Sequence, residues 1–273
     1  MRLRSILRAR PGDSLDAALE AEADAILLSL TDETQPIEDL RAGAAEAIER
    51  VAEAGKAPLV AVNHPRTQLT RGDLDAITGP RLAAILLPHC TEPQDVRDTA
   101  VILREFEHTR DIEPGQVALF PVIDTARGLL RAAESLAAAP RTAGLVLASE
   151  PFARDIGARY EESGPRLAYA RGSVVAAAAA HETVALIDGS SLELRDMANY
   201  GFAGAVLNDA RLVTVANDVF SPTDTVVKRA RADVDAYESR DEGAWVVRRD
   251  GMVVDAPRVR QARRTLDRAS DGS

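Results

Sequence analysis

Apolar residues in this chain fall in short, unbroken blocks rather than in strict alternation with polar ones. The blocks are Ser5–Leu7, Ala25–Leu30, Pro58–Asn63, Ala83–Pro88, Gln116–Ile123, Ala143–Ala148, Val184–Asp188 and Gly204–Asn208. A continuous apolar run of this length reads as a strand covered on both faces. Between most of the blocks lie Ala-, Glu- and Arg-rich stretches with helical spacing, such as Ile37–Ala54, Glu92–Phe106, Ala126–Ala138 and Leu167–Ala180. About eight strand-then-helix units before residue 220 predict a parallel sheet closed into a TIM (β/α)8 barrel. An open doubly wound sheet is the alternative. Its dinucleotide-binding form is disfavoured, because no Gly-x-Gly-x-x-Gly follows the first strand.

The pattern changes after residue 222. Thr223–Tyr237 reads as a helix, Trp245–Val254 as a hairpin turning at Asp250-Gly251, and Pro257–Ala269 as a charged helix. The expected organisation is therefore a barrel over 1–222 and a helix–hairpin–helix extension over 223–273, packing on its own or a neighbouring subunit. The chain has 273 residues, enough for one such barrel, with 46% hydrophobic and 28% charged residues.

Charge narrows the partners. Thirty-three Lys and Arg against 43 Asp and Glu leave a net charge of −10, which disfavours binding to a phosphate backbone. Cys90 is the single cysteine, so no intrachain disulfide forms, as suits a reducing cytoplasm. No apolar run approaches a membrane span, and the basic N-terminus lacks the apolar core of a signal peptide. A cytoplasmic protein without a nucleic-acid or membrane partner is expected.

Barrel chemistry sits where strands end and loops begin. The polar residues there are Ser29, Thr31 and Asp32, then Asn63 and His64, His89 and Cys90, Asp124, Ser149 and Glu150, Asp188, and Asn208 and Asp209. The set is rich in carboxylates and suits Mg²⁺, which takes one or two carboxylates plus water and substrate oxygens. The same residue types also cap helices and turns. The four histidines show no zinc-ligand spacing. His89 and Cys90, as adjacent strand residues, are expected to face opposite ways rather than form a catalytic pair.

Taken in order, the motifs resemble the HpcH/HpaI aldolase and citrate lyase β-subunit (CitE-like) family over nearly the whole chain. Arg4–Leu7 with Pro11-Gly12 is similar to its opening strand and loop, and Ala23–Asp32 to its second strand. Pro121–Gly128 is similar to its Ile-Glu-Thr-Ala-Arg-Gly motif, the most specific match, and Ser149–Gly157 to its Glu-Asp-Leu-x-x-Asp-Leu-Gly motif. Tyr169–Arg171, Ile187–Gly189, Gly201–Gly204 and Met252–Pro257 continue the order. The resemblance implies a Mg²⁺-dependent barrel lyase, a homotrimer or hexamer, cleaving or forming a C–C bond in a 2-oxo acid or acyl-CoA thioester. The metal would stabilise an enolate. It places Asp124 and Glu150 as candidate metal ligands and Arg4, Asn63 and Ser149 as candidate substrate contacts. Asp255 stands where the family's C-terminal segment brings a catalytic Asp to the site, and Arg4, Arg8 and Arg10 are candidates for CoA phosphates.

The chain departs from the family pattern at the strand ends. Asp124 replaces a ligand Glu and is one methylene shorter. Pro151 replaces a ligand Asp and has no donor atom. Ala61 replaces a substrate-binding Arg, and Asn208–Ala210 replaces an Ile-His-Pro. Glu150 substitutes for the lost Asp only if the chain turns locally. Two readings follow: a C–C lyase with a remodelled Mg²⁺ site, or a catalytically silent homologue (a pseudoenzyme) that binds a ligand or partner. A metal-free enzyme using His64, His89 and Asp209 is a third.

Overall fold

The computed structural model describes residues 1–10, 13–31, 35–160, 165–188, 194–241 and 243–270. Eight parallel strands close into a barrel in sequence order. They are β1 (Ser5–Arg8), β2 (Ala25–Ser29), β3 (Ala57–Ala61), β4 (Ala84–Leu87), β5 (Ala118–Ile123), β6 (Gly144–Ala148), β7 (Val184–Asp188) and β8 (Gly204–Leu207). Helices surround them, including Ile37–Glu53, Thr70–Ile77, Pro93–Thr109 and Ala168–Ala180. β8 pairs with β1 through Ser5–Ala205, Ile6–Val206 and Leu7–Leu207, so no edge strand is left open. Closure is tight at Gly204, where a Cβ atom would lie 1.7 Å from the Leu3 carbonyl oxygen. Only glycine allows β8 that close to β1.

Inward side chains follow the two-residue period of each strand. They fill the barrel with Ile6, Ala25, Leu27, Leu59, Ala61, Ala84, Leu86, Phe120, Val122, Val146, Ala148, Leu186 and Val206. At the N-terminal face, Glu107 and Arg141 form a buried ion pair of 2.6 Å. Glu107 also accepts the backbone N–H groups of Gly115 (2.9 Å) and Val117 (3.1 Å). Burial alone would raise its pKa, but Arg141 and the two amides outweigh it and hold the carboxyl below its ordinary value.

The chain divides into two compact units, the barrel Leu3–Asn217 and a second unit of Asp218–Ser273 with Met1–Arg2. The second unit holds a helix, a hairpin and a helix, and its boundary falls at 217/218. Helices Asp224–Glu238 and Ala256–Ser270 enclose an antiparallel hairpin of β9 (Val246–Arg249) and β10 (Met252–Asp255). Asp250 and Gly251 turn it with φ of 50° and 77°, the positive values a two-residue hairpin turn requires. Asp233 ties the unit together by accepting from Arg249 Nε (2.9 Å) and Arg258 Nε (2.8 Å).

Candidate active site

Carrying the inward period to the C-terminal end of six of the strands identifies residues of the barrel mouth. Ile6 leads to Arg8, Leu27 to Ser29, Ala61 to Asn63, Val122 to Asp124, Leu186 to Asp188 and Val206 to Asn208. An apolar interior ends in a ring of polar groups, and their pairing sets what the mouth can do.

Asp124 is buried, with 4% of its surface exposed. Its Oδ2 accepts two hydrogen bonds from His89, one from the backbone N–H (2.9 Å) and one from Nδ1 (2.7 Å). Its Oδ1 is sealed from solvent without a partner. Burial pushes the Asp124 carboxyl up, while the imidazole and amide of His89 pull it down. His89 reaches this carboxylate because β4 ends at Leu87 and His89 adopts a left-handed backbone, φ 56°. Its side chain remains 73% exposed. Cys90 points into the core and burial pushes its thiol up to about 12, so it is no nucleophile. The loops carrying this pair are pressed together: a Cβ on Gly128 would lie 2.4 Å from the Cys90 carbonyl oxygen.

Across the mouth, Arg8 donates to Asp188 at 2.7 Å, from the end of β1 to the end of β7. Burial pushes the Asp188 carboxyl up; Arg8 opposes the shift and Glu150 adds to it. Ser149 is buried with an unpartnered Oγ, and Glu150 beside it is exposed. A cleft of about 410 Å³ opens at this rim, lined by Arg8, Arg10, Ser14, Ser29, Thr31 and Asn208 among others.

Several expected site residues have other duties. Arg4 precedes β1 and so lies at the N-terminal face, opposite the mouth. There its backbone and side chain donate to both oxygens of Asp24, which corrects the expectation of a substrate contact. Asn63 Nδ2 donates to Leu30 O and Asp73 Oδ2, both at 2.9 Å, and so commits its amide hydrogens to the end of β2 and to the helix Thr70–Ile77. Asp255 Oδ1 accepts from Arg258 N at 3.0 Å and caps the last helix. His64 Nδ1 accepts from Arg66 N, and Asp209 grips Arg211 with both oxygens. Asp32, Pro11-Gly12 and Gly189 lie outside the described residues. Sequence reasoning named Asp188 at a strand end and Arg8 as a phosphate contact, but it missed that the two pair and missed the turn that brings His89 to Asp124.

These residues do not fit a magnesium ion. Mg²⁺ requires near-octahedral oxygens at about 2.0–2.1 Å. Asp124 offers one oxygen held by two donors and one closed off from solvent, and Pro151 offers none. Among the described residues no three His, Cys, Asp or Glu side chains are grouped to hold a metal.

An eight-stranded parallel barrel with polar groups at its C-terminal face defines the class, a TIM-type α/β barrel. A model of the HpcH/HpaI aldolase/citrate lyase family matches residues 8–208, and the chain belongs to that family. It is 28% identical to a (3S)-malyl-CoA thioesterase of Cereibacter sphaeroides, over 94% of this chain and 90% of that one. It is 30% identical to citrate lyase subunit beta of Escherichia coli K12, over 77% of this chain and 73% of that one. Among solved structures, CitE of Mycobacterium tuberculosis, in complex with magnesium, acetoacetate and coenzyme A, superposes with a TM-score of 0.69. It is 22% identical, with 98% of each chain covered. A citrate lyase of Burkholderia xenovorans LB400 superposes with a TM-score of 0.77 at 17% identity, over 98% of this chain and 91% of that one. No helix among the described residues is long and apolar enough to cross a membrane.

Proposed function

We propose that this protein binds a small oxo acid, or the acyl end of a CoA thioester, at the barrel mouth without Mg²⁺. On this reading the metal-dependent C–C lyase chemistry of its family is absent. The observation that carries it is the state of Asp124, whose Oδ2 is held by His89 and whose Oδ1 is buried, rather than either being left open to a cation. The family's relatives supply the ligand class, since those named above are a malyl-CoA thioesterase and citrate lyase subunits. The cleft supplies the means: Arg8 and Arg10 favour an anion, and Ser29, Thr31 and Asn208 offer hydrogen bonds. An arginine–carboxylate contact is charge-assisted and stronger than a neutral one.

The test is calorimetric titration with pyruvate, oxaloacetate and acetyl-CoA in the presence of EDTA. Saturable binding of at least one, weakened by Arg10→Ala, is the expected result. Binding that appears only after Mg²⁺ is added would overturn the reading.

A further inference from the structure

The second unit carries a cationic groove of its own. Helices Asp224–Glu238 and Ala256–Ser270 lie side by side, with Arg229, Ala230 and Asp233 of the first facing Arg258, Gln261 and Ala262 of the second. Ala230 and Ala262 are buried at the seam and are too small to fill it. A groove of about 310 Å³ is left between the helices.

The charges of this groove do not balance. Asp233, with 6% of its side chain exposed, gives one oxygen to Arg249 (2.9 Å) and the other to Arg258 (2.8 Å). Its charge is therefore spent on two arginines. Arg229 has no carboxylate partner among the described residues, and its Nη2 donates to the Met252 sulfur at 2.8 Å. Arg258 Nη2 lies 3.8 Å from the same sulfur. Two guanidinium groups thus meet at one neutral atom, and a thioether is a weak acceptor. Cations held this close repel each other, and an anion between them would reverse the sign of that energy.

We propose that this groove is a binding site for a phosphate-type dianion, either free phosphate or the phosphate of a small monoester. A planar carboxylate has two oxygens, which a single guanidinium fork already satisfies. A tetrahedral phosphate has further oxygens, so the forks of Arg229 and Arg258 can hold it together. Its second charge answers the second arginine. The side-chain amide of Gln261, at the same groove, adds a neutral donor. No residue of the barrel mouth takes part, so the site stands apart from the oxo-acid reading.

The experiment is calorimetric titration of the full chain with inorganic phosphate, glycerol 3-phosphate and acetate in turn. At least one of the two phosphates is expected to bind saturably and more tightly than acetate. Arg229→Gln should weaken that binding ~10-fold or more, the loss of one hydrogen bond to a charged group. Arg229 holds no carboxylate, so the variant keeps the ion pairs of Asp233, and an unshifted Tm without ligand is expected. Equal affinity for the two phosphates would assign the site to phosphate itself, and tighter binding of the ester to phosphomonoesters. No saturable binding up to millimolar concentration, or acetate bound as tightly as phosphate, would overturn the proposal. Binding lost in Arg10→Ala and unaltered in Arg229→Gln would place the phosphate at the barrel mouth and overturn it too.

Discussion

Replacing Glu107 by alanine should destabilise the barrel without touching its mouth. Glu107 is fully buried at the N-terminal face and holds four donors: two from Arg141 and the backbone amides of Gly115 and Val117. Alanine leaves Arg141, whose side chain is 7% exposed, as a buried charge without its counter-ion. It also orphans two amides that lead into β5. Removing one partner of a buried pair costs about 3–5 kcal/mol. For a unit of this size each kcal/mol lowers Tm by about 2–4 °C, so the expected loss is about 6–20 °C. Urea and thermal unfolding by circular dichroism would measure it. Glu107→Gln, which keeps an acceptor but not the charge, should fall between the two. Because the pair lies opposite the mouth, ligand affinity below the transition should be unchanged. A loss under about 1 kcal/mol would refute the reasoning, since exposed pairs are worth that little.

Three further outcomes are expected. Gly204→Ala should cost at least the ~1–3 kcal/mol of an overpacked core, because its Cβ meets the Leu3 carbonyl oxygen and β8 must move off β1; chemical denaturation would measure it. Cys90 should resist a thiol reagent at pH 8 in the folded protein and react at once in denaturant, since burial pushes its thiol to about 12. Asp188 sits above its unfolded value, so the folded protein holds its proton more tightly. That stability is present below the unfolded carboxylate range and is lost as pH rises through the folded value. Asp188→Asn lacks this loss, so its stability relative to wild type should rise with pH above about 4, as Tm across a pH series would report.

The barrel was legible because its information is local. Each strand is an apolar block long enough to be covered on both faces, and Asp250-Gly251 names its own hairpin turn. The mouth was legible only in part. Asp124 and Ser149 were placed at strand ends correctly, because a strand end is a composition change that the chain displays. Arg4 was misplaced because its role depends on which end of β1 it flanks, and β1 begins one residue after it. His89 and Cys90 were expected to diverge, and one is exposed while the other is buried. What the chain did not display was the left-handed turn that sets the imidazole on a carboxylate 35 residues away. Nor did it display Arg8 reaching over β8 to Asp188, since a cation at a strand end reads equally as a solvated edge. Both depend on barrel closure, which brings together residues that no local pattern links.

The central claim is that the Asp124 carboxylate is committed to His89 and is closed to a cation. Calorimetric titration of the metal-stripped protein with Mg²⁺, alone and with oxaloacetate, tests it most directly. The account predicts no saturable Mg²⁺ heat up to millimolar concentration and oxaloacetate binding that is the same with and without the metal. Saturable Mg²⁺ binding that tightens with oxaloacetate and disappears in Asp124→Ala would contradict it.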